Sequence, residues 1–212
     1  MNRSSKYFLI IIIAVSAALG LMRFNSLQIG TSYDDAHYII LAESLSSGQG
    51  YQLINFPRPQ IERAFPPGWP ILLTPFTFLL PGNYAVLKLF TLTLWLASLL
   101  LIYRLFSKQV ESPYLEILVG LIAVNPLLVG TSVTVMSETA YLFFSLIVLT
   151  LFDSRDSRKD GSNYWLVILI ALASLYAQLI RTVGLSICVA LVLYFLLARR
   201  FREVGIILSV FA

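Results

Sequence analysis

Cysteine and histidine are nearly missing from this chain: Cys188 and His37 are the sole examples of their types. One cysteine cannot close an internal disulfide, and without clustered histidines there is no zinc-finger or thiol-redox signature. Charge is scarce too. Only 12% of the 212 residues are charged, against roughly 25% in an ordinary soluble domain, which excludes a soluble globular enzyme. Nor is there a basic patch. The net charge is +4, but the basic residues stand scattered at the ends of apolar runs, so membrane topology accounts for them and nucleic acid is excluded as a partner. What fills the chain instead is hydrocarbon, with 58% hydrophobic residues.

That hydrocarbon comes in runs. Tyr7 to Met22 is almost unbroken behind Arg3 and Lys6, with a length near the ~17–25 residues that cross a bilayer. Ala17 and Ala18 would suit a signal-peptide cleavage site, but the later runs make a retained signal anchor the more natural reading. Further spans are expected at 84–106, 114–129, 137–152, 164–180 and 183–197. Only Arg181-Thr182 separates the last two. A hairpin is expected there, because one helix over 164–197 would overshoot a hydrocarbon core of about 30 Å. Trp69 to Leu80 is apolar but short, and Pro81-Gly82 closes it, as expected of an interfacial or partly inserted helix. Glu203 to Ala212 starts another apolar run that stops in mid-span, which reads as the N-terminal part of a longer protein.

The expected fold is therefore all-α, a polytopic transmembrane helical bundle forming one domain over 1–212. It has about six full spans, a truncated further span and a long first extracytoplasmic loop at 25–83 with short interfacial helices. With the N-terminus inside, Arg3, Lys6, Arg104, Lys108, Arg155, Arg158, Lys159, Arg199, Arg200 and Arg202 fall on the cytoplasmic side of the cell membrane. Arg23, Arg58, Arg63, Lys88 and Arg181 fall outside, which is the bias expected of a positive-inside protein.

The first loop holds the chemistry. Tyr33-Asp34-Asp35-Ala36-His37-Tyr38 sets two carboxylates beside a bilayer, where charge is expensive unless solvated, paired or used. Ser32 stands at capping-box spacing from Asp35, so a helix is expected to begin there and to stop at Gly48 and Gly50. Tyr38, Leu41, Ala42 and Leu45 would form its apolar face, and Asp34, His37 and Tyr38 would lie near one another. Asp34 or Asp35 could act as a general base, or both could simply cap the helix. His37 alone is more ordinarily a satisfied interfacial side chain than a ligand. The prolines from Pro57 to Pro70 then break up regular structure around Arg58, Glu62 and Arg63.

Two later residues join this loop under the same topology. Glu138 opens an apolar helix at its outer end, where Ser137 could cap it and the acid could serve the helix dipole. Arg181 interrupts the apolar stretch 164–197; it is either a snorkelling arginine or a phosphate ligand with a planar fork of donors.

In order and spacing these segments resemble the GT-C glycosyltransferases, specifically relatives of the protein O-mannosyltransferases and aminoarabinose transferases. The resemblance spans essentially the whole chain. It runs through Asp34-Asp35-Ala36-His37-Tyr38, Gly48-Gln49-Gly50-Tyr51, Phe65-Pro66-Pro67-Gly68-Trp69-Pro70, Ser137-Glu138-Thr139 and Leu179-Ile180-Arg181-Thr182-Val183-Gly184. It implies inverting transfer of a sugar from a polyprenyl-phosphate donor to a protein, lipid or glycan acceptor on the extracytoplasmic side, among membrane lipids. By position, Asp34 would be the base, with Asp35 and Glu138 as further catalytic acids. Arg181, Arg63 and Lys88 would bind the donor phosphate, and His37 and Tyr38 would contact acceptor or sugar. The resemblance fixes no cofactor and leaves a divalent metal open: Glu138 would orient the acceptor or, as in some branches of the family, a metal. Two other classes compete: a transporter or flippase of lipid-linked saccharides, whose charges would line the central spans, and a non-catalytic membrane partner subunit.

Overall fold

The computed structural model describes residues 3–156 and 164–211. Arg158 and Lys159, used above to assign sidedness, lie outside the described residues, as does Ala212 at the end of the last apolar run. Among the described residues there are ten α-helices, one 3-10 turn and one small ribbon. The helices are α1 Arg3–Arg23, α2 Asp34–Ser46, α3 Gly68–Leu79, α4 Tyr84–Phe106, α5 Tyr114–Ala123, α6 Pro126–Thr131, α7 Ser137–Asp156, α8 Tyr164–Ile180, α9 Leu185–Leu197 and α10 Phe201–Phe211. The 3-10 turn is Thr182–Gly184, between α8 and α9.

Three of these helices, α1, α4 and α7, are long and apolar enough to cross a membrane. The others expected to span are shorter. The expected span 114–129 is two pieces, because Pro126 lacks the N–H that would continue the ladder. Asn125 caps the second piece, its side chain accepting from the N–H groups of Leu127 and Leu128, with Pro126 in the first turn. The all-α expectation also needs a small amendment. Gln52–Leu53 (β1) pairs antiparallel with Gln60–Ile61 (β2), giving the proline-rich loop a two-stranded clasp.

The helices run between two ends. One end gathers the loop 24–83, the start of α7 and the α8–α9 turn. The other gathers the start of α1, the 107–113 connection, the end of α7 and the start of α10. At this second end Lys108 meets Asp153 at 2.8 Å, and Arg155 meets Glu203 at 2.5 Å, with its guanidinium carbon 4.8 Å above the Phe195 ring. α8 and α9 form the expected hairpin: Val167 and Ile170, early in α8, share an apolar cluster with Leu191 and Phe195, late in α9.

Packing around α1 shows how polar groups survive in so apolar an interior. Trp95 on α4 donates to Ser16 Oγ on α1 at 2.9 Å, and Ser16 donates to the Ala123 carbonyl at 2.8 Å. The chain thus satisfies a carbonyl freed at the end of α5, which in hydrocarbon would otherwise be left unpaired. Outside this core, α1 presents Tyr7, Phe8, Ile10, Ile11 and Met22 as exposed apolar side chains, a surface suited to lipid.

Candidate functional site

α2 begins at Asp34, but not through the expected capping box. Tyr33 precedes it with a positive φ of 59°, and no side chain caps the helix. Asp35 reaches backward instead: its oxygens accept from Gly30 N at 3.0 Å and Ala36 N at 3.0 Å, and the residue is 1% exposed. Gly30 turns with φ 81°, a conformation that suits glycine. The stop falls where expected. The Gly48 N–H reaches Leu45 O and the Gln49 N–H reaches Ser44 O, the paired bonds of a Schellman motif with Gly48 at φ 73°.

The proline-rich segment is folded by its own side chains. Glu62 Oε1 accepts from the N–H groups of Arg63, Ala64 and Phe65 at 2.7, 2.5 and 3.3 Å. Tyr51 donates to the Phe65 carbonyl at 2.9 Å and reaches Pro66 O at 3.2 Å. Burial, and then the negative charge of Glu62, push its phenol well above the ordinary value. Phe65 is thereby set over α2, stacking on His37 at 5.0 Å and meeting Tyr38 edge-on at 5.3 Å.

Two glycine contacts hold the other walls. A side chain at Gly68 would stand 2.6 Å from the Leu179 backbone carbon, so α3 starts backbone to backbone against the end of α8. Tyr176 donates to the Gly68 carbonyl at 3.0 Å, and fully buried Trp69 donates to the Val135 carbonyl at 3.1 Å, just before α7. A side chain at Gly184 would come within 2.5 Å of Gln178 N, which folds the 3-10 turn tightly onto α8 and leaves Arg181 extended at φ −146°.

These walls converge on five side chains. Tyr38 Oη lies 3.0 Å from Ser137 Oγ, and either can donate. Arg181 donates to Ser137 Oγ at 3.2 Å and to Glu138 Oε1 at 2.6 Å. Ser137 is the first residue of α7, and its hydroxyl is engaged by Tyr38 and Arg181. Asp34 stands one turn before Tyr38 on α2, and its charge acts on the Tyr38 phenol, as do those of Arg181 and Glu138. Burial raises the Tyr38 pKa first; the Ser137 hydrogen bond opposes this, as does Arg181, while Asp34 and Glu138 add to it. Tyr38 is therefore a neutral phenol at physiological pH.

Two acceptors in the group are free. Among the described residues no donor engages the half-buried Asp34 carboxylate, and Glu138 Oε2 is buried without a hydrogen-bond partner. Arg181 uses one nitrogen on its two neighbours, and its side chain is partly exposed. Such a site can take a proton from a hydroxyl and hold an anion a short way off.

The other expected residues make contacts of their own. Lys88 is buried on α4 and donates to Asn25 O at 2.5 Å and also to Gln28 O, tying the loop's first residues to the bundle. Arg63 is exposed on the clasped loop. His37 sits between the Tyr33 and Phe65 rings, with Nδ1 at 3.2 Å from Tyr33 O. Among the described residues no group of three His, Cys, Asp or Glu side chains could hold a metal ion. Ser137 as a bridge and Phe65 as a wall were missed by sequence reasoning. A serine beside the acid carried the first signal, but its hydroxyl could equally have capped the helix. No family model, characterised protein or solved structure matches the chain.

Proposed function

We propose that this chain is a membrane glycosyltransferase that moves a sugar from a polyprenyl-phosphate donor to an acceptor hydroxyl, with inversion, on the extracytoplasmic side. The reading combines the resemblance to GT-C enzymes with one observation: Tyr38, Ser137, Glu138 and Arg181, from three distant segments, are joined by hydrogen bonds and an ion pair at the loop end, one helical turn from Asp34 on α2. In this scheme Asp34 takes the acceptor proton. The acceptor oxygen bonds to the anomeric carbon from the face opposite the phosphate, the bond from that carbon to the phosphate oxygen breaks, and the electron pair leaves on the lipid phosphate. Arg181 balances the developing charge, a role its planar fork suits. The free oxygen of Glu138 orients a hydroxyl of sugar or acceptor.

We further propose that α1, α4, α7, α8, α9 and the α5–α6 pair each cross the bilayer, with the N-terminus cytoplasmic. The basic residues support that orientation. Transport is disfavoured because the clustered charges gather at one end of the bundle, whereas a substrate path would carry them through its middle.

The test is Asp34→Asn in the full-length protein, assayed in membranes with polyprenyl-phosphate sugars. Loss of a general base lowers the rate by about 10²–10⁴-fold. Full retained activity refutes the role of Asp34, and donor-dependent movement of the lipid-linked sugar without covalent transfer decides for a flippase.

A further inference from the structure

The end of the bundle remote from Asp34 holds a second, unrelated polar feature. Glu116 stands in the first turn of α5, where an acid suits the helix dipole. That alone would mean little. But Glu116 is 7% exposed, and among the described residues both its oxygens are buried without a hydrogen-bond partner. The hydroxyls of Ser5, Ser112 and Tyr103 surround the carboxylate closely enough to interact with it, yet none meets hydrogen-bond geometry on either oxygen. A carboxylate so held asks for a cation with several donors.

Space for one is present. Glu116 lines a cavity of about 640 Å³ whose wall also carries Arg104. It lines a second cavity as well, of about 230 Å³, formed with Phe8, Ile12, Pro113 and Ile117 between α1 and α5. This second space is apolar, and Phe8 and Ile117 are more than half exposed on the outer face of the bundle. Glu116, with Ser112 beside it, thus joins a chamber edged by charged and hydroxyl side chains at the end of the bundle to an apolar groove on its side.

We propose that this junction binds a phospholipid with a primary ammonium headgroup, of the phosphatidylethanolamine type. The ammonium supplies N–H donors to the two Glu116 oxygens. The phosphate, a few atoms away, lies toward the Arg104 guanidinium, and one acyl chain follows Phe8, Ile12 and Ile117. A choline headgroup has no N–H to offer, and an anionic glycerol headgroup brings no cation. The site lies at the opposite end from the transfer cluster, so its failure leaves the transfer reading untouched.

Native mass spectrometry of the full-length protein with equimolar phosphatidylethanolamine, phosphatidylcholine and phosphatidylglycerol tests this. The primary-amine lipid is expected to be retained at least about tenfold over the other two, equivalent to about 1.4 kcal/mol. Glu116→Gln removes that preference, and Arg104→Gln weakens retention of phosphatidylethanolamine and phosphatidylcholine alike. Equal retention of the three lipids by the wild type overturns the proposal, as does an unchanged preference in Glu116→Gln. Displacement of the lipid by an equal concentration of soluble phosphoethanolamine also overturns it, because the apolar groove would then contribute nothing. Should Glu116→Gln fail to accumulate, the wild-type comparison of the ethanolamine and choline lipids decides alone.

Discussion

Asp35 accepts from the backbone N–H groups of Gly30 and Ala36 and so holds the turn that starts α2, whereas no donor among the described residues holds Asp34. Adjacent identical residues thereby acquire different work. The capping-box spacing pointed to Asp35 as the structural acid but gave it the wrong partner, because that partner is a backbone N–H five residues upstream, presented by a left-handed glycine. The pairing of Glu138 with Arg181 was more legible, since each was a rare charge at the outer end of an apolar run. Tyr38 and Tyr51 give a pH signature. Burial holds both phenols neutral in the fold, while in the unfolded chain they ionise near pH ~10. Below that value their burial contributes its full stability. Above it the unfolded state releases protons first, and the fold loses stability as pH rises. Thermal unfolding in detergent should therefore weaken above about pH 10, and Tyr51→Phe should make that decline shallower. At lower pH the same variant, having lost its bonds to Phe65 and Pro66, costs about 0.5–1.5 kcal/mol. Superimposable alkaline slopes for wild type and variant would contradict the assignment.

At the scale of elements, apolar run length read well and local interruptions read poorly. α4 and α8 begin and end where hydropathy puts them, because long apolar runs leave few competing conformations. The break at Asn125-Pro126 was missed although its signal was written out, an N-cap residue followed by a first-turn proline. Missed too was the β1–β2 clasp, whose two short strands carry no period to read. The glycines were legible as breakers, but not as contacts. Gly68 sits inside the first turn of α3 because the backbone of Leu179 and Ile180 leaves no room for a side chain. Gly68→Ala must push α3 from α8, and with it the segment that carries Arg181. We expect a loss of about 1–3 kcal/mol from overpacking, together with weakened donor binding. Gly205→Ala is the matched control, since nothing lies within 4 Å of the added methyl on α10, and removing a helical glycine should stabilise by about 0.5–1 kcal/mol. Unfolding midpoints of the two variants measured side by side should move in opposite directions. A Gly68→Ala midpoint at or above the wild-type value would mean that the α3–α8 contact does not bear on the site.

Seen whole, the molecule divides its polar groups between two ends and keeps the middle dry, apart from paired hydroxyls such as Ser16. The loop end holds the Asp34 cluster and the clasp; the other holds the Lys108–Asp153 and Arg155–Glu203 pairs and the Glu116 cavity. Grouping of the ends was legible because each apolar run reverses the chain. Assembly of one cluster from segments around 34, 138 and 181 was foreseeable only as a consequence of that reversal, with no local pattern to specify the contacts. The proposed orientation follows from the same division and can be tested without reference to catalysis. Cys188 is the one thiol of these 212 residues and is buried, so replacing it with Ala leaves them free of cysteine. Arg58→Cys and Gln109→Cys then place single thiols at exposed positions on opposite ends. In intact cells a membrane-impermeant maleimide should label the first and leave the second unlabelled until the membrane is opened. The reverse pattern would put Asp34, Glu138 and Arg181 in the cytoplasm and remove the extracytoplasmic lipid-linked donor from the proposal. Labelling of both sites before opening would mean that α4 does not carry the chain from one side of the bilayer to the other.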